Sequence, residues 1–176
     1  ALEASRRKLG EEHSLTLASM NNLAVLYGSL GKYDLALPFF EKAFEAMRRV
    51  LGEDHPSTLS TMNSLAGLYK SQGKYDLALP LNVKALEAGR RVLGEEHPTT
   101  LGSMDNLAVH YYDQGKYDLA LPLYEKTLEA MRRVLGEEHP DTLRSMGNLA
   151  ELYKNQRKYD LALPLYEKSL EARRRV

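Results

Sequence analysis

Histidine and the acidic residues are the side chains here whose types and spacing invite a chemical role. His13, His55, His97 and His139 recur every 42 residues, each behind an acidic pair such as Glu53-Asp54 or Glu95-Glu96. A zinc site needs three or four such groups converging to about 2 Å from one ion. One histidine per 42-residue period does not converge, because helices pack ~8–10 Å apart and hold equivalent atoms at least that far from one another. These four therefore read as structural loop residues. His110 stands where Leu26, Leu68 and Leu152 stand in the other periods and reads as a partly buried helix residue. The acidic pairs suit general acid–base work, but they recur in every period beside the start of a helix, where negative charge is favourable anyway. The chain has no cysteine, which excludes disulfides, thiolate zinc sites and cysteine nucleophiles. No phosphate-cradling glycine loop is present. Neither an enzyme activity nor a cofactor nor a metal is expected.

Twenty-four basic residues balance 24 acidic ones, so the chain lacks the basic excess that a nucleic acid or an anionic membrane demands. No apolar run nears the roughly 20 residues of a spanning helix. The cysteine-free composition fits a reducing, cytoplasmic setting. The chain opens on Ala1-Leu2-Glu3-Ala4 without an initiator Met. That opening matches the middle of a later helix, so the chain reads as a piece of a longer protein, and a targeting segment can lie outside it.

The elements that position these residues follow from self-similarity. Leu51-Gly52-Glu53-Asp54-His55-Pro56 returns at Leu93 and Leu135, with an earlier copy at Leu9 ending in Ser14; Lys32-Tyr33-Asp34-Leu35-Ala36-Leu37-Pro38 returns at Lys74, Lys116 and Lys158. Each period carries two helical stripes, Leu17, Met20, Leu23, Ala24, Tyr27 and then Leu35, Ala36, Phe39, Phe40, Ala43, Phe44, Met47. First helices are expected over about 15–30, 57–72, 99–114 and 141–156, and second helices over about 34–50, 76–92, 118–134 and 160–175. Gly31, Gly73 and Gly115 suit the left-handed residue after the first helix. Asp34 and its copies suit the cap of the second, which puts Pro38 near its fourth residue. Pro56, Pro98 and Pro140 suit a first helical position. A single array over 1–176 is expected, with residues 1–9 the tail of a preceding repeat and repeats over about 10–51, 52–93, 94–135 and 136–176. One hairpin cannot bury its apolar face alone, so neighbours must stack.

Met20, Leu23, Ala24, Tyr27, Gly31, Tyr33, Ala36, Phe40 and Ala43 are spaced like the signature of the tetratricopeptide repeat, with Met20 in place of the usual Trp. The period exceeds the usual 34 residues. This long form resembles the repeats of kinesin light chains and the arrays behind the nucleotide-binding module of STAND-type, NLR-like sensors. The resemblance implies an all-α, right-handed α-solenoid of antiparallel helix pairs. Its concave groove is lined by the first helices and takes a protein or an extended peptide.

Comparing the periods with one another separates frame from face. Leu23, Leu65, Leu107 and Leu149 do not change, nor do Ala24, Ala66, Ala108 and Ala150; these are packing positions. Positions 18, 21, 25, 28 and 29 share one side of the first helix and change from copy to copy. Asn21 becomes Asn63, Asp105 and Gly147; Val25 becomes Gly67, Val109 and Glu151; Gly28 becomes Lys70, Tyr112 and Lys154; Ala18 ends as Arg144, and Ser29 becomes Asp113 in the third repeat. The resemblance puts this side in the groove, and a varied face on a fixed frame suits partner binding as well as it suits a drifting solvated face. Asn22, Asn106 and Asn148 hold the next position, with Ser64 as the exception. An amide there either hydrogen-bonds the backbone of a bound peptide or bonds a neighbouring helix. The chaperone-tail members of the family grip a carboxylate with a Lys where this chain has Asn21, Asn63 and Asp105, so that clamp is not expected.

Two departures strain the frame. Arg157 replaces a turn glycine, at a cost of about 1 kcal/mol if its φ is positive. Asn82 replaces the bulk of Phe40, Tyr124 and Tyr166 in a packing slot. The alternative to groove binding is a sensor region of a larger STAND- or NLR-like protein that self-assembles by end-to-end stacking.

Overall fold

The computed structural model describes residues 2–175; Ala1 and Val176, the outer bounds of the expected array, lie outside the described residues. Among the described residues the chain forms nine α-helices: α1 (Leu2–Leu9), α2 (Ser14–Ser29), α3 (Tyr33–Leu51), α4 (Pro56–Ser71), α5 (Tyr75–Val92), α6 (Pro98–Asp113), α7 (Tyr117–Leu135), α8 (Pro140–Asn155) and α9 (Tyr159–Arg175). The expected helix pairs are all present, with ends within two residues of those read from the pattern. The chain divides into two compact units, Ala1–Leu93 and Gly94–Val176. Their boundary falls at a repeat junction.

Each first helix begins the same way. The side chain of His13, His55, His97 or His139 accepts a hydrogen bond at Nδ1 from the backbone N–H two residues on, at 3.2 Å. The loop histidines are therefore N-caps, satisfying one of the orphan donors of the first turn. Pro56, Pro98 and Pro140 open their helices as expected. The acidic pairs before them act further away. Glu11, Glu53, Glu95 and Glu137 each receive a lysine from the second helix of the same repeat: Lys42, Lys84, Lys126 and Lys168. Glu12, Asp54 and Glu96 receive Arg49, Arg91 and Arg133. These clamps tie each loop to the hairpin it opens. The lysine bonds hold the Glu11 and Glu137 carboxyls below the ordinary carboxylate range. All of them are solvated, so each is worth little singly.

The first helix closes on a left-handed residue. Gly31 has φ 69°. Lys32 N–H reaches Tyr27 C=O and Gly31 N–H reaches Gly28 C=O, the paired bonds of a Schellman motif. Arg157 adopts the same conformation, with φ 61°. There Lys158 N–H reaches Tyr153 C=O and Arg157 N–H reaches Lys154 C=O. The expected strain at Arg157 is therefore present.

Two expectations about the second helix need correction. Lys32, Lys74 and Lys116 are its N-caps, without a side-chain bond, and Asp34, Asp76 and Asp118 lie second inside it. The Schellman turn ends so close to the next helix that no residue is left for Asp34 to cap. Pro38 is accordingly the sixth residue of α3, not the fourth, and the Asp34 carbonyl loses its usual donor there.

Within unit 1 the hairpins stack through Ala24, Ala36, Phe40, Leu65 and Leu68, flanked by Leu17, Met20, Ala43 and Met47 and by Leu59, Met62, Ala85 and Ala88. Unit 2 stacks through Ala108, Ala120, Tyr124, Leu128, Leu143, Met146, Leu149 and Leu152. Within each unit one hairpin thus buries its stripe against the next, the solenoid mode of packing. Ala24, Ala66, Ala108 and Ala150 are fully buried, so helices close on one another where only a methyl fits. Asn82 is buried, and its Oδ1 finds no hydrogen-bond partner.

Candidate functional site

Packing of each stripe leaves the other side of the first helices to solvent. In unit 1, Ala18, Asn22, Val25 and Ser29 of α2 are exposed, as are Ser60 and Ser71 of α4; Asn21, Asn63, Gly67 and Lys70 are half-buried. In unit 2, Asp113 of α6 and Arg144, Lys154 and Asn155 of α8 are exposed, while Asn106, Tyr112, Asn148 and Glu151 are half-buried. The varied positions of each first helix therefore form an open face, with one exception.

That exception is Asp105. Its side chain is 1 % exposed and lies between α6 and α8. Asn148 Nδ2 donates to Asp105 Oδ2 at 3.2 Å, and Arg144 Nε lies 3.8 Å from the same oxygen. Burial raises the carboxyl's pKa, against the opposing pull of Arg144, Ser145 and Asn148. Asp105 is thus a brace between two first helices rather than an acidic feature of the open face. Burial of the Asp side chain follows from its place on the α8-facing edge of α6, which the 3–4 spacing alone does not distinguish from the open side.

A second brace has the same spacing. Asn155 Nδ2 donates to the Tyr112 hydroxyl, so residues 105 and 112 of α6 meet residues 148 and 155 of α8. In unit 1 the corresponding residues of α4 are Ser64 and Ser71. Their hydroxyls turn back to their own helix, onto Ser60 and Gly67 carbonyls, because a serine is too short to cross. The open face of unit 2 is braced where that of unit 1 is not. Of the two roles open to the asparagines, Asn148 takes the interhelical one with its N–H. Sequence reasoning missed Asn155, Ser145 and Tyr166 as members of the site. The signal that finds the first is the 43-residue offset shared by the Asp105–Asn148 and Tyr112–Asn155 pairs.

The aromatic end of this face is coupled to its charges. Tyr112 lies 5.6 Å from Tyr117, ring centre to ring centre. Lys154 Nζ meets Glu151 at 2.5 Å, and the Tyr166 hydroxyl donates to Glu151 at 2.5 Å. These two bonds hold the Glu151 carboxyl below its ordinary range, the lysine first. Burial and the Glu151 carboxylate push the Tyr166 phenol up to about 12. Gly67, Gly102 and Gly147 lie mid-helix on the open faces, and a Cβ at any of the three would meet nothing within 4 Å. Neighbouring side chains do not require glycine there.

His110 is fully buried and pairs through Nε2 with the Gln114 amide at 2.7 Å. Among the described residues no three acidic or histidine side chains are placed to hold a metal, and no helix is long and apolar enough to cross a membrane.

Antiparallel hairpins with a fixed small-residue frame and a varied open face define a helical-repeat interaction scaffold. The chain belongs to the tetratricopeptide repeat family, whose model matches residues 1–48, 29–90, 64–121 and 100–175. Among solved structures it is similar to a Podosopora anserina protein assigned as a kinesin light chain with nearly identical TPR-like repeats. That match has TM-score 0.67 and 28% identity over 98% of this chain and 82% of the other. It is also similar to BtubC (BKLC) from P. vanneervenii, with TM-score 0.72 and 25% identity over 90% of this chain and 63% of the other. The apo form of RapI shares the fold at TM-score 0.74 and 18% identity, over 97% of this chain and 60% of RapI. No curated protein matches the sequence significantly.

Proposed function

We propose that this chain binds a protein partner, presented as an extended or helical peptide, along the open face of its first helices. In unit 1 that surface is α2 and α4, with Asn21, Asn22, Asn63 and Lys70. In unit 2 it is α6 and α8, with Asn106, Tyr112, Asp113, Arg144, Asn148, Glu151 and Lys154; Asp105 braces it from within. The observation that carries this reading is the coincidence of variation and exposure. At the five varied positions of each first helix that begin at residues 18, 21, 25, 28 and 29, every residue but Asp105 is exposed or half-buried, while the alanines that repeat unchanged are buried. Tyr112 is a half-buried aromatic beside paired charges, the type of residue that anchors an interface. The glycines Gly67, Gly102 and Gly147 leave helix backbone open to close approach. A cytoplasmic setting belongs to the same proposal and is supported by the cysteine-free composition.

The test is selection of dodecamer peptides from a displayed random library on the wild-type chain, followed by calorimetry. The Asn106→Ala/Tyr112→Ala double variant should bind a selected peptide at least about tenfold more weakly, since a tenfold change is 1.4 kcal/mol. Leu77→Ala, on the outer side of α5, should leave it unchanged. Equal binding by the double variant, with its helical circular dichroism retained, contradicts the reading.

A further inference from the structure

The second helices present a line of apolar residues to solvent. Leu161 of α9 is 50% exposed, and its counterparts Leu35, Leu77 and Leu119 on α3, α5 and α7 are 50%, 46% and 50% exposed. Pro38, Pro80, Pro122 and Pro164, three residues on, are exposed as well. This exposure is a property of the repeat, and single apolar residues are ordinary on a protein surface. What marks unit 2 is that its line borders a recess.

α7 and α9 both pack on α8, and among the described residues they do not pack on each other. Between them lies a recess of about 360 Å³. Buried Leu128 and Leu149 supply its apolar floor, and Leu161, Pro164 and Leu165 its wall.

The same place in unit 1 is built differently. Phe44 stands where Leu128 stands, and it packs against two apolar clusters. Glu45, the counterpart of Glu129, is held by Arg48 at 2.8 Å. In unit 2 the counterpart of that arginine, Arg132, turns to Glu137 at 3.2 Å instead. Glu129 is left on the rim of the recess with no ion pair among the described residues. Asp160 lies on the same rim, also without one. Glu125 completes it, accepting from the Tyr153 hydroxyl at 2.6 Å. Lys158 Nζ lies over that tyrosine ring, 5.9 Å from its centre. The carboxylates Glu125, Glu129 and Asp160 thus surround an apolar recess whose one lining cation, Arg132, already has a partner.

We propose that this recess docks a basic segment of another protein, with one phenylalanine side chain in the recess and a lysine or arginine on either side of it against Glu129 and Asp160. Phe44 shows what shape fills this line where the chain supplies it. The carboxylate excess favours cations at the rim and turns acidic segments away. The volume is at the small end for a ligand pocket and takes one anchoring side chain. None of these residues belongs to the open face of the first helices, so this site stands or falls separately from that one. The Asn106→Ala/Tyr112→Ala variant should bind the basic segment as the wild type does.

Calorimetry on the whole chain tests this with the end-capped peptide Gly-Arg-Lys-Phe-Lys-Arg-Gly. Saturable one-to-one binding with Kd below about 1 mM is expected. The same peptide with Ala in place of Phe should bind at least about tenfold more weakly. Glu129→Gln/Asp160→Asn, two exposed substitutions that leave the core alone, should weaken binding of the Phe peptide by about the same factor. Leu128→Phe supplies the ring from within, as unit 1 does, and should abolish binding with its helical circular dichroism retained. Absence of saturable binding to the wild type overturns the proposal. Equal binding of the Ala peptide also overturns it, since that is charge attraction alone. So does full binding by Glu129→Gln/Asp160→Asn, or loss of binding in the Asn106→Ala/Tyr112→Ala variant, which would place the peptide on the first helices.

Discussion

Asn148 and Asp105 form the link that joins the two first helices of unit 2: Nδ2 of the amide donates to Oδ2 of a carboxylate that has almost no contact with solvent. The repeats before it carry Asn21 and Asn63 at the Asp105 position. The link therefore contains a charge that its own repeat pattern does not require.

Because burial raises the Asp105 pKa, the native state holds that proton more tightly than the unfolded chain does. Its contribution to stability is full below the ordinary carboxylate range and is lost as pH rises through the native value. Asp105→Asn keeps an amide that accepts from Asn148 and removes the buried charge. Urea unfolding should show the variant more stable at pH 7 by on the order of 1 kcal/mol, with the gain shrinking toward pH 3. A variant destabilised at pH 7 would mean that Arg144 and Asn148 more than offset the desolvation.

Arg157 stands in the left-handed turn position held by Gly31, Gly73 and Gly115. Arg157→Gly should raise the stability of unit 2 by about 1 kcal/mol, the cost of φ > 0 for a residue with a Cβ. An unchanged urea midpoint would show that the turn's two backbone bonds fully absorb that strain.

His139 caps α8 through Nδ1. His139→Ala should cost about 1 kcal/mol, and His139→Asn should restore most of it, since a side-chain acceptor is what the position uses. Equal loss in both variants would point to packing of the ring instead.

Gly102 and Gly147 face open space within helices. Replacing each with Ala should stabilise the chain by about 1 kcal/mol. If a partner backbone approaches these positions, the same substitutions should weaken peptide binding. Stabilised variants with unchanged binding would remove the glycines from the contact surface.

The frame was legible from the sequence because a 42-residue period, a 3–4 stripe and turn glycines each mark it separately, and all three agree. The resemblance of Met20, Leu23, Ala24 and Tyr27 to a known signature pointed to the family that the comparisons show. The caps were harder to read. Asp34 is a better intrinsic cap than Lys32, yet the tight Schellman turn fixes where α3 begins. The cap on the first helix was missed because a histidine in a loop signals chemistry before it signals a hydrogen bond to its own backbone. The open face was outlined by position, but Asp105 was not separable from Asn106 on spacing alone. One residue of rotation moves a side chain from solvent to the seam between α6 and α8, and only the neighbouring helix decides which it meets.

Whether the first helices present the partner-binding surface is tested most directly by nuclear magnetic resonance. The side-chain amide resonances of Asn21, Asn63, Asn106 and Asn148 are followed while a library-selected peptide is titrated in. Saturable shifts of these amides are expected, Asn106 among the largest, with the backbone amides of the outer residues Leu77, Leu119 and Leu161 unmoved. Shifts confined to the second helices or the loops, with those asparagines unchanged at saturation, would contradict partner binding on the first helices.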